Sequence, residues 1–199
     1  RKINTIPQRD IWLIVVRGTL YYVLGVVFST QALLLTKIGN VAFIQALPTL
    51  PILGTFILRE KMSLRKFLLV FVSFVGVSLI FFDSITVDFE QLRGELFALF
   101  ATLFFSFGLI SRRWHSSALD DEEISTWMLL VGFLGVFGIS FFLGDTLSFF
   151  TVSGVVISML FVGGLANVGI GFCMNYGLKH SSAILAGNIF ALTPLLAVI

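Results

Sequence analysis

The sequence predicts an all-α integral membrane protein, folded as a helical bundle with seven transmembrane helices. The first observation is composition: the 199-residue chain is 57% hydrophobic and 12% charged, with a mean hydropathy of +1.02. Soluble domains carry about 25% charged residues. The second observation is the position of the charges. Of 13 basic and 11 acidic residues, only Arg17 lies well inside an apolar stretch, as expected of a chain whose apolar segments cross a bilayer.

Seven stretches are long enough, or nearly so, to span the membrane. A helix needs about 20 residues to cross the ~30 Å hydrocarbon layer. The predicted spans are 11–35, 40–58, 67–82, 95–111, 124–143, 152–178 and 183–199. None has the sustained polar face of a soluble amphipathic helix, and none alternates with period two as a barrel strand does. The sequence therefore indicates membrane helices rather than either alternative.

The basic residues of the loops predict the orientation, because cytoplasmic loops are enriched in Lys and Arg. With the connections assigned alternately to the two sides, one side carries ten basic residues and the other carries two. The richer side comprises the N-terminal segment and residues 59–66, 112–123 and 179–182. We therefore expect Arg1 and the loops 59–66 and 112–123 in the cytoplasm of a multi-pass protein of the plasma or inner membrane.

An internal repeat relates the first and sixth spans at an offset of 145 residues. The shift aligns four pairs of identical residues: Gly18 with Gly163, Leu20 with Leu165, Val23 with Val168, and Leu33 with Leu178. With one inserted residue, Pro48 aligns with Pro194. The two spans are five apart, and an odd offset reverses orientation, so the repeat is inverted. Transporters often use such repeats, with the substrate site near the midplane between the halves.

Several segments resemble a known family when their order is considered. Residues 40–51 read Asn-Val-Ala-Phe-Ile-Gln-Ala-Leu-Pro-Thr-Leu-Pro, followed by Leu58-Arg-Glu-Lys-Met-Ser and Gly76-Val-Ser-Leu-Ile. This order resembles the end of an EamA domain, of the drug/metabolite transporter superfamily. The run from Gly94-Glu-Leu-Phe-Ala to Ser111-Arg-Arg resembles the start of a second EamA domain, and Tyr176-Gly-Leu-Lys-His-Ser-Ser-Ala resembles the approach to its proline helix.

The resemblance implies a bundle of two inverted five-helix repeats, ten helices in all. This chain would be an internal fragment holding about helices three to nine. Residues 1–83 would be the C-terminal part of the first repeat, 84–94 an extracytoplasmic linker, and 95–199 the N-terminal part of the second repeat.

Arg17 is the first candidate for a binding residue. A charge at the middle of a membrane costs about 2.5–3.5 kcal/mol on insertion scales, so it normally has a partner or lines a wet cavity. Two interpretations stay open: the side chain extends to the interface or makes a structural contact, or it binds a carboxylate or phosphate of a substrate. Tyr21 and Tyr22 lie near the middle of the same span, and Tyr21 shares the face of Arg17.

Other polar and kinked positions complete the candidate set. The intramembrane amides could bind substrate or hold helices together; they are Gln31, Gln45, Asn167, Asn175 and Asn188. The mid-span prolines could form a gate or a static kink; they are Pro48, Pro51 and Pro194.

These features predict a secondary transporter, an exporter or exchanger of small organic metabolites that works by alternating access. We expect its cavity between spans one, two, six and seven. The expected partners are a small-molecule substrate and membrane lipid, with no nucleic acid, and the protein is expected to be a monomer or homodimer. No catalytic or metal-ligand motif is recognisable, so we expect no enzyme, metal or cofactor. The alternatives are a seven-helix receptor or sensor and a non-transporting membrane protein.

Overall fold

The computed structural model of the chain describes a bundle of helices. The described residues are 6–61, 63–65, 67–68, 70–72, 75, 89–116, 119–144 and 153–190, with only the backbone for 188 and 190. Within these residues the secondary structure is helical and includes no strand. The elements, in chain order, are α1 (Gln8–Gly18), a π-helical segment (Thr19–Gly25), α2 (Val26–Leu35), α3 (Ile38–Gln45), α4 (Thr49–Ile57), α5 (Phe89–Ile110), a 3-10 turn (Ser111–Trp114), α6 (Asp121–Leu143), α7 (Gly154–His180) and α8 (Ala183–Phe190).

Five helical runs are long and apolar enough to cross a membrane. They are Gln8–Leu35, Ile38–Ile57, Phe89–Trp114, Asp121–Leu143 and Gly154–His180. They correspond to the first, second, fourth, fifth and sixth predicted spans. Most of the third predicted span, 67–82, lies outside the described residues, and only the first part of the seventh is described, as α8. The total of seven spans and the division at 84–94 therefore stay predictions.

Some helices begin earlier than hydropathy predicts, because a helix N-terminus tolerates and even prefers acidic residues. The fifth predicted span begins at residue 124, whereas α6 begins at Asp121. Asp120 and Glu123 form a reciprocal capping box at that end, with the Asp120 N–H donating to Glu123 Oε2 over 3.0 Å. At the other end Gly144 adopts φ 74°, a left-handed conformation that glycine supplies without strain.

The second span is broken at Pro48 rather than continuous. Helix α3 ends at Gln45, and Pro48 takes the N-cap position of α4 with ψ 45°. Pro51 lies in the first turn of α4, where a missing N–H removes no intrahelical hydrogen bond. The break therefore occurs at Pro48, while the ring of Pro51 packs so closely on α8 that a Cβ on Gly187 would lie 2.3 Å from its Cδ.

Glycines bring the first span into close contact with α6. A Cβ on Gly132 would lie 2.4 Å from Cβ of Tyr22, and one on Gly135 would lie 2.5 Å from a methyl of Val23. By contrast, a Cβ on Gly138 would meet nothing within 4 Å. Helices in membranes associate largely through such close packing, because lipid offers no hydrophobic driving force. The glycine stripe of α6 thus fixes how deeply the π-helical segment lies against it.

Charged connections meet at one end of the bundle. Contacts there link the start of α1, the segment after α4, the α5–α6 connection and the α7–α8 connection. They are Ser116 N to Asp10 Oδ1 at 3.1 Å, Arg113 Nη1 to Glu60 Oε1 at 2.8 Å, and Lys179 Nζ to Asp121 Oδ2 at 3.7 Å. At the opposite end, Asn40 Nδ2 donates to Glu95 Oε1 over 2.7 Å, joining α3 to α5.

The glycine contact predicts a measurable difference between two changes in one helix. Gly132→Ala should destabilise the protein by about 1–3 kcal/mol, because the new methyl must displace Tyr22 from a packed interface. Gly138→Ala is the matched control and should leave stability unchanged or slightly raised, since alanine is the better helix former. Thermal unfolding in detergent measures both, and equal melting temperatures would contradict the packing described here.

Candidate functional site

Arg17 is buried between three helices. Its side chain is 1% exposed, so it does not extend to the surface. Its Nε donates to the carbonyl oxygen of Gly108 in α5 over 2.9 Å, and its Nη2 donates to Oδ1 of Asn175 in α7 over 2.7 Å. Gly108 leaves space for this approach, because a Cβ there would lie 3.0 Å from Cβ of Tyr21. The guanidinium therefore ties the first span to α5 and α7.

Asn175 is held in position by hydrogen bonds to α6 and to its own helix, α7. Its Nδ2 donates to Ser125 Oγ of α6 over 2.8 Å and to the Gly171 carbonyl of its own helix over 3.0 Å. With its nitrogen bonded in this way, its oxygen is directed at Arg17. Ser125 in turn donates to the carbonyl of Asp121 over 2.7 Å. This series of hydrogen bonds connects α1, α7 and α6. The four residues whose side chains or backbone take part, Arg17, Asn175, Ser125 and Asp121, are all buried.

The π-helical segment carries both candidate tyrosines. The wider π turn is rare and often occurs at functional sites. The rings of Tyr21 and Tyr22 meet edge to face with centroids 4.9 Å apart, and Tyr21 also packs on Phe105 at 4.9 Å. The Tyr21 hydroxyl donates to Sδ of Met174 over 3.3 Å. The Tyr22 hydroxyl lies where a side chain on Gly171 would be, 2.9 Å from such a Cβ.

These residues surround a small cavity, which we call the Arg17 cavity. Its volume is about 10 Å³, which is about the space needed to hold one water molecule. Its lining residues are Arg17, Tyr21, Tyr22, Gly108, Leu109, Met128, Gly171, Met174 and Asn175. Four of the eight predicted binding residues thus come together. The lining comes from spans one, four, five and six, whereas the sequence led us to expect spans one, two, six and seven.

The other predicted residues lie elsewhere. Gln31 is exposed on α2, and Gln45 is exposed with its Nε2 bonded to Ser29 Oγ at 3.0 Å. Asn167 is exposed on α7 and donates to the Gly163 carbonyl of its own helix over 3.0 Å. Pro48 and Pro51 lie in the α3–α4 region, away from the cavity lining. The side chain of Asn188 and all of Pro194 lie outside the described residues.

A buried ion pair lies at the charged end of the bundle, beyond Asn175 and Ser125. Arg112 donates to Oδ1 of Asp121 through Nε at 3.0 Å and through Nη2. The two side chains are 4% and 7% exposed. Lys179 approaches the second carboxylate oxygen of Asp121. The sequence does not distinguish this pair, because nothing in the loop 112–123 separates the buried charges from the exposed ones.

His115 and Asp10 form a second buried contact at this end. His115 Nδ1 lies 3.6 Å from Asp10 Oδ1, and Asp10 also accepts hydrogen bonds from the N–H and hydroxyl of Ser116. Burial, with the positive charge of Arg17 adding to it, lowers the pKa of His115 to about 4. The imidazole is therefore neutral near pH 7, and its contact with Asp10 is a packing contact rather than an ion pair.

Glu60 joins the two halves of the chain. Arg59 has φ 54°, which turns the chain so that the Glu60 N–H bonds the Gly54 carbonyl over 3.2 Å. The Glu60 carboxylate then accepts from the N–H groups of Ala183 and Ile184 at 3.0 and 3.4 Å. With its 2.8 Å ion pair to Arg113, it caps the start of α8 from the segment that follows α4.

Comparison with known proteins finds one matching family and a similar fold among solved structures. The EamA-like transporter family matches residues 92–199 of the chain. A solved crystal structure superposes with a TM-score of 0.74 over 96% of this chain and 66% of its own, at 18% sequence identity. At that identity the likeness shows the fold alone, and the chain spans somewhat less than two thirds of that structure. No curated protein sequence matches the chain.

The buried ion pair predicts an asymmetric response to charge removal. Asp121→Asn should destabilise the protein by about 3–5 kcal/mol, because it leaves the Arg112 guanidinium buried without an anionic partner. Glu122→Gln, the same chemical change at the next residue, is exposed and should stay within about 0.5 kcal/mol of wild type. Chemical unfolding in detergent compares them, and equally small effects would show that Arg112 does not depend on this carboxylate.

Proposed function

Because the chain belongs to the EamA-like transporter family, of the drug/metabolite transporter superfamily, we propose that it acts in a secondary transporter that works by alternating access. The cargo is a small organic metabolite, moved outward or in exchange. The observation that carries the proposal is the Arg17 cavity, a buried polar site at the meeting point of four spans. Substrate sites of transporters with inverted repeats commonly lie in such a central position.

The size of the cavity supports a cycle with an occluded state. A volume of about 10 Å³ excludes any organic metabolite. Loading the site therefore requires the surrounding helices to separate. Two irregular segments offer places for such movement: the π-helical turn Thr19–Gly25, which carries the tyrosines, and the break between α3 and α4 at Pro48. Hinges commonly use a few such residues at the ends of elements.

The contacts between α4 and α8 supply a closure at the charged end of the bundle. Glu60 holds the first turn of α8, and Arg113 donates to both Glu60 and the Ser181 carbonyl. Next to these polar contacts, α4 and α8 pack closely, since a Cβ on Gly54 would lie 2.7 Å from Cβ of Ala183. We assign this end to the cytoplasm from its excess of Lys and Arg. In an alternating-access cycle these contacts break when the cavity opens to that side.

A reversible crosslink across this closure tests the proposal. The intact protein would carry Gly54→Cys and Ala183→Cys with the exposed Cys173 changed to Ser. A disulfide needs a Cβ–Cβ distance of about 3.8 Å, so the two helices need to move apart by only about 1 Å. Oxidation should abolish metabolite flux in vesicles, measured by untargeted mass spectrometry, and a reductant should restore it.

The controls are the two single-cysteine proteins in the same Cys173→Ser background. Both should retain their flux under oxidising conditions, which separates the crosslink from thiol chemistry at either position. Quantitative disulfide formation with undiminished flux would overturn alternating access through this end. Absence of any transported metabolite from the reduced protein would overturn transport itself.

A further inference from the structure

We propose that the ligand of the Arg17 cavity is a monocarboxylate with an apolar body and no ammonium group beside the carboxylate. This inference rests on the proposed transport function and names its substrate class. Three observations lead to it: an unused donor on Arg17, the lack of an acidic partner for its charge, and the apolar character of the remaining lining.

The unused donor is Nη1 of Arg17. The Nε and Nη2 atoms of the guanidinium are bonded to Gly108 and Asn175, whereas Nη1 is buried and has no hydrogen-bond partner among the described residues. A buried N–H without an acceptor costs about 1–3 kcal/mol, and more on a charged group. Since Arg17 lines the cavity, a ligand oxygen placed there would remove that cost. The two satisfied atoms hold the guanidinium plane in place for such a contact.

The charge of Arg17 is also uncompensated within the described part of the bundle. Both of its partners are neutral, a carbonyl and an amide. The buried carboxylate of Asp121 is already bonded to Arg112 and approached by Lys179. Removing an ion from water costs several kcal/mol unless an opposite charge approaches it. An anionic ligand would therefore gain both the Coulomb attraction and the charge-assisted hydrogen bond to Nη1.

The same groups limit the charge that the ligand can carry. Among the described residues, only one cation lines the cavity, which suits a single negative charge better than the two of a phosphate monoester. The described lining contains no Asp or Glu, so an ammonium group would meet Arg17 without a compensating anion. The charge pattern thus disfavours a zwitterion as well as a cation.

The rest of the lining favours an apolar body. Besides the polar pair Arg17 and Asn175 and two glycines, the lining consists of Leu109, Met128 and Met174 with the rings of Tyr21 and Tyr22. Methionine side chains adapt to ligands of different shape and make favourable contacts with aromatic rings. The Tyr22 hydroxyl, placed beside Gly171, is available to donate to the second carboxylate oxygen once the cavity widens. An aromatic or aliphatic acid matches this combination.

Equilibrium binding to the intact protein in nanodiscs tests the class, with empty nanodiscs subtracted. Five probes share a phenyl ring and differ in the charged or polar group that it carries: benzoate, benzamide, benzylammonium, phenyl phosphate and phenylalanine, all at pH 7.4. Benzoate should bind at least tenfold more tightly than each of the others. Arg17→Gln should weaken benzoate binding at least tenfold, Arg17→Lys should restore part of it, and Arg93→Gln, the same change at an exposed arginine of α5, should have no effect.

The outcomes separate this inference from the proposed function. Equal or tighter binding of any other probe overturns the monocarboxylate assignment, as does binding of none of the five, and both comparisons use the wild-type protein without relying on a variant that folds. A preference for benzoate that Arg17→Gln and Arg17→Lys leave unchanged overturns the role of Arg17. None of these results alters the crosslinking experiment, whose failure would overturn alternating access through the charged end, or transport itself, while leaving the binding preference intact.

Discussion

The buried guanidinium of Arg17 is the interaction on which the centre of the bundle depends. A charge in the apolar part of a membrane protein is tolerated only where other groups replace its hydration. Here a carbonyl of α5 and an amide of α7 do so, and the amide is itself held by Ser125 of α6. The orientation of three helices around the first span is therefore fixed by the requirement to satisfy one side chain. Close packing at Gly108 makes the approach geometrically possible.

Charge at the connecting segments has a different role. The pairs Arg112–Asp121 and Arg113–Glu60 lie where the helices end. The first links the two ends of the α5–α6 connection, and the second links that connection to the segment after α4. The Arg112–Asp121 pair is deeply buried, and it stabilises the fold mainly because neither buried charge is left without a partner. The second is more exposed, so screening weakens it, and its value lies in holding the backbone of α8 through Glu60. The buried contacts of Arg17 hold the centre of the bundle firmly, whereas the Arg113–Glu60 pair holds the charged end more weakly. This difference suits a molecule that opens at that end.

The sequence predicted part of this structure because a bilayer imposes simple rules on composition. Hydropathy located five described spans, each end to within six residues, and the rarity of intramembrane charge pointed to Arg17 as a candidate. Sequence could not distinguish Asn175, which lies in the cavity, from Asn167, two turns earlier on the same helix and exposed. That difference depends on position along α7, because residues 153–170 are all exposed whichever face they lie on, and burial begins only at Gly171. Likewise, both Pro48 and Pro51 could have broken the second span, but only Pro48 lies where the backbone turns.

Arg17 and Asn175 act as one unit that holds the first span to α7. A double-mutant cycle measures this coupling directly, using unfolding free energies of wild type, Arg17→Met, Asn175→Leu and the double variant in detergent. A charge-assisted hydrogen bond in a buried site predicts a coupling energy of about 1.5–3 kcal/mol, with the double variant less destabilised than the sum of the single ones. Additivity within about 0.5 kcal/mol would contradict the account.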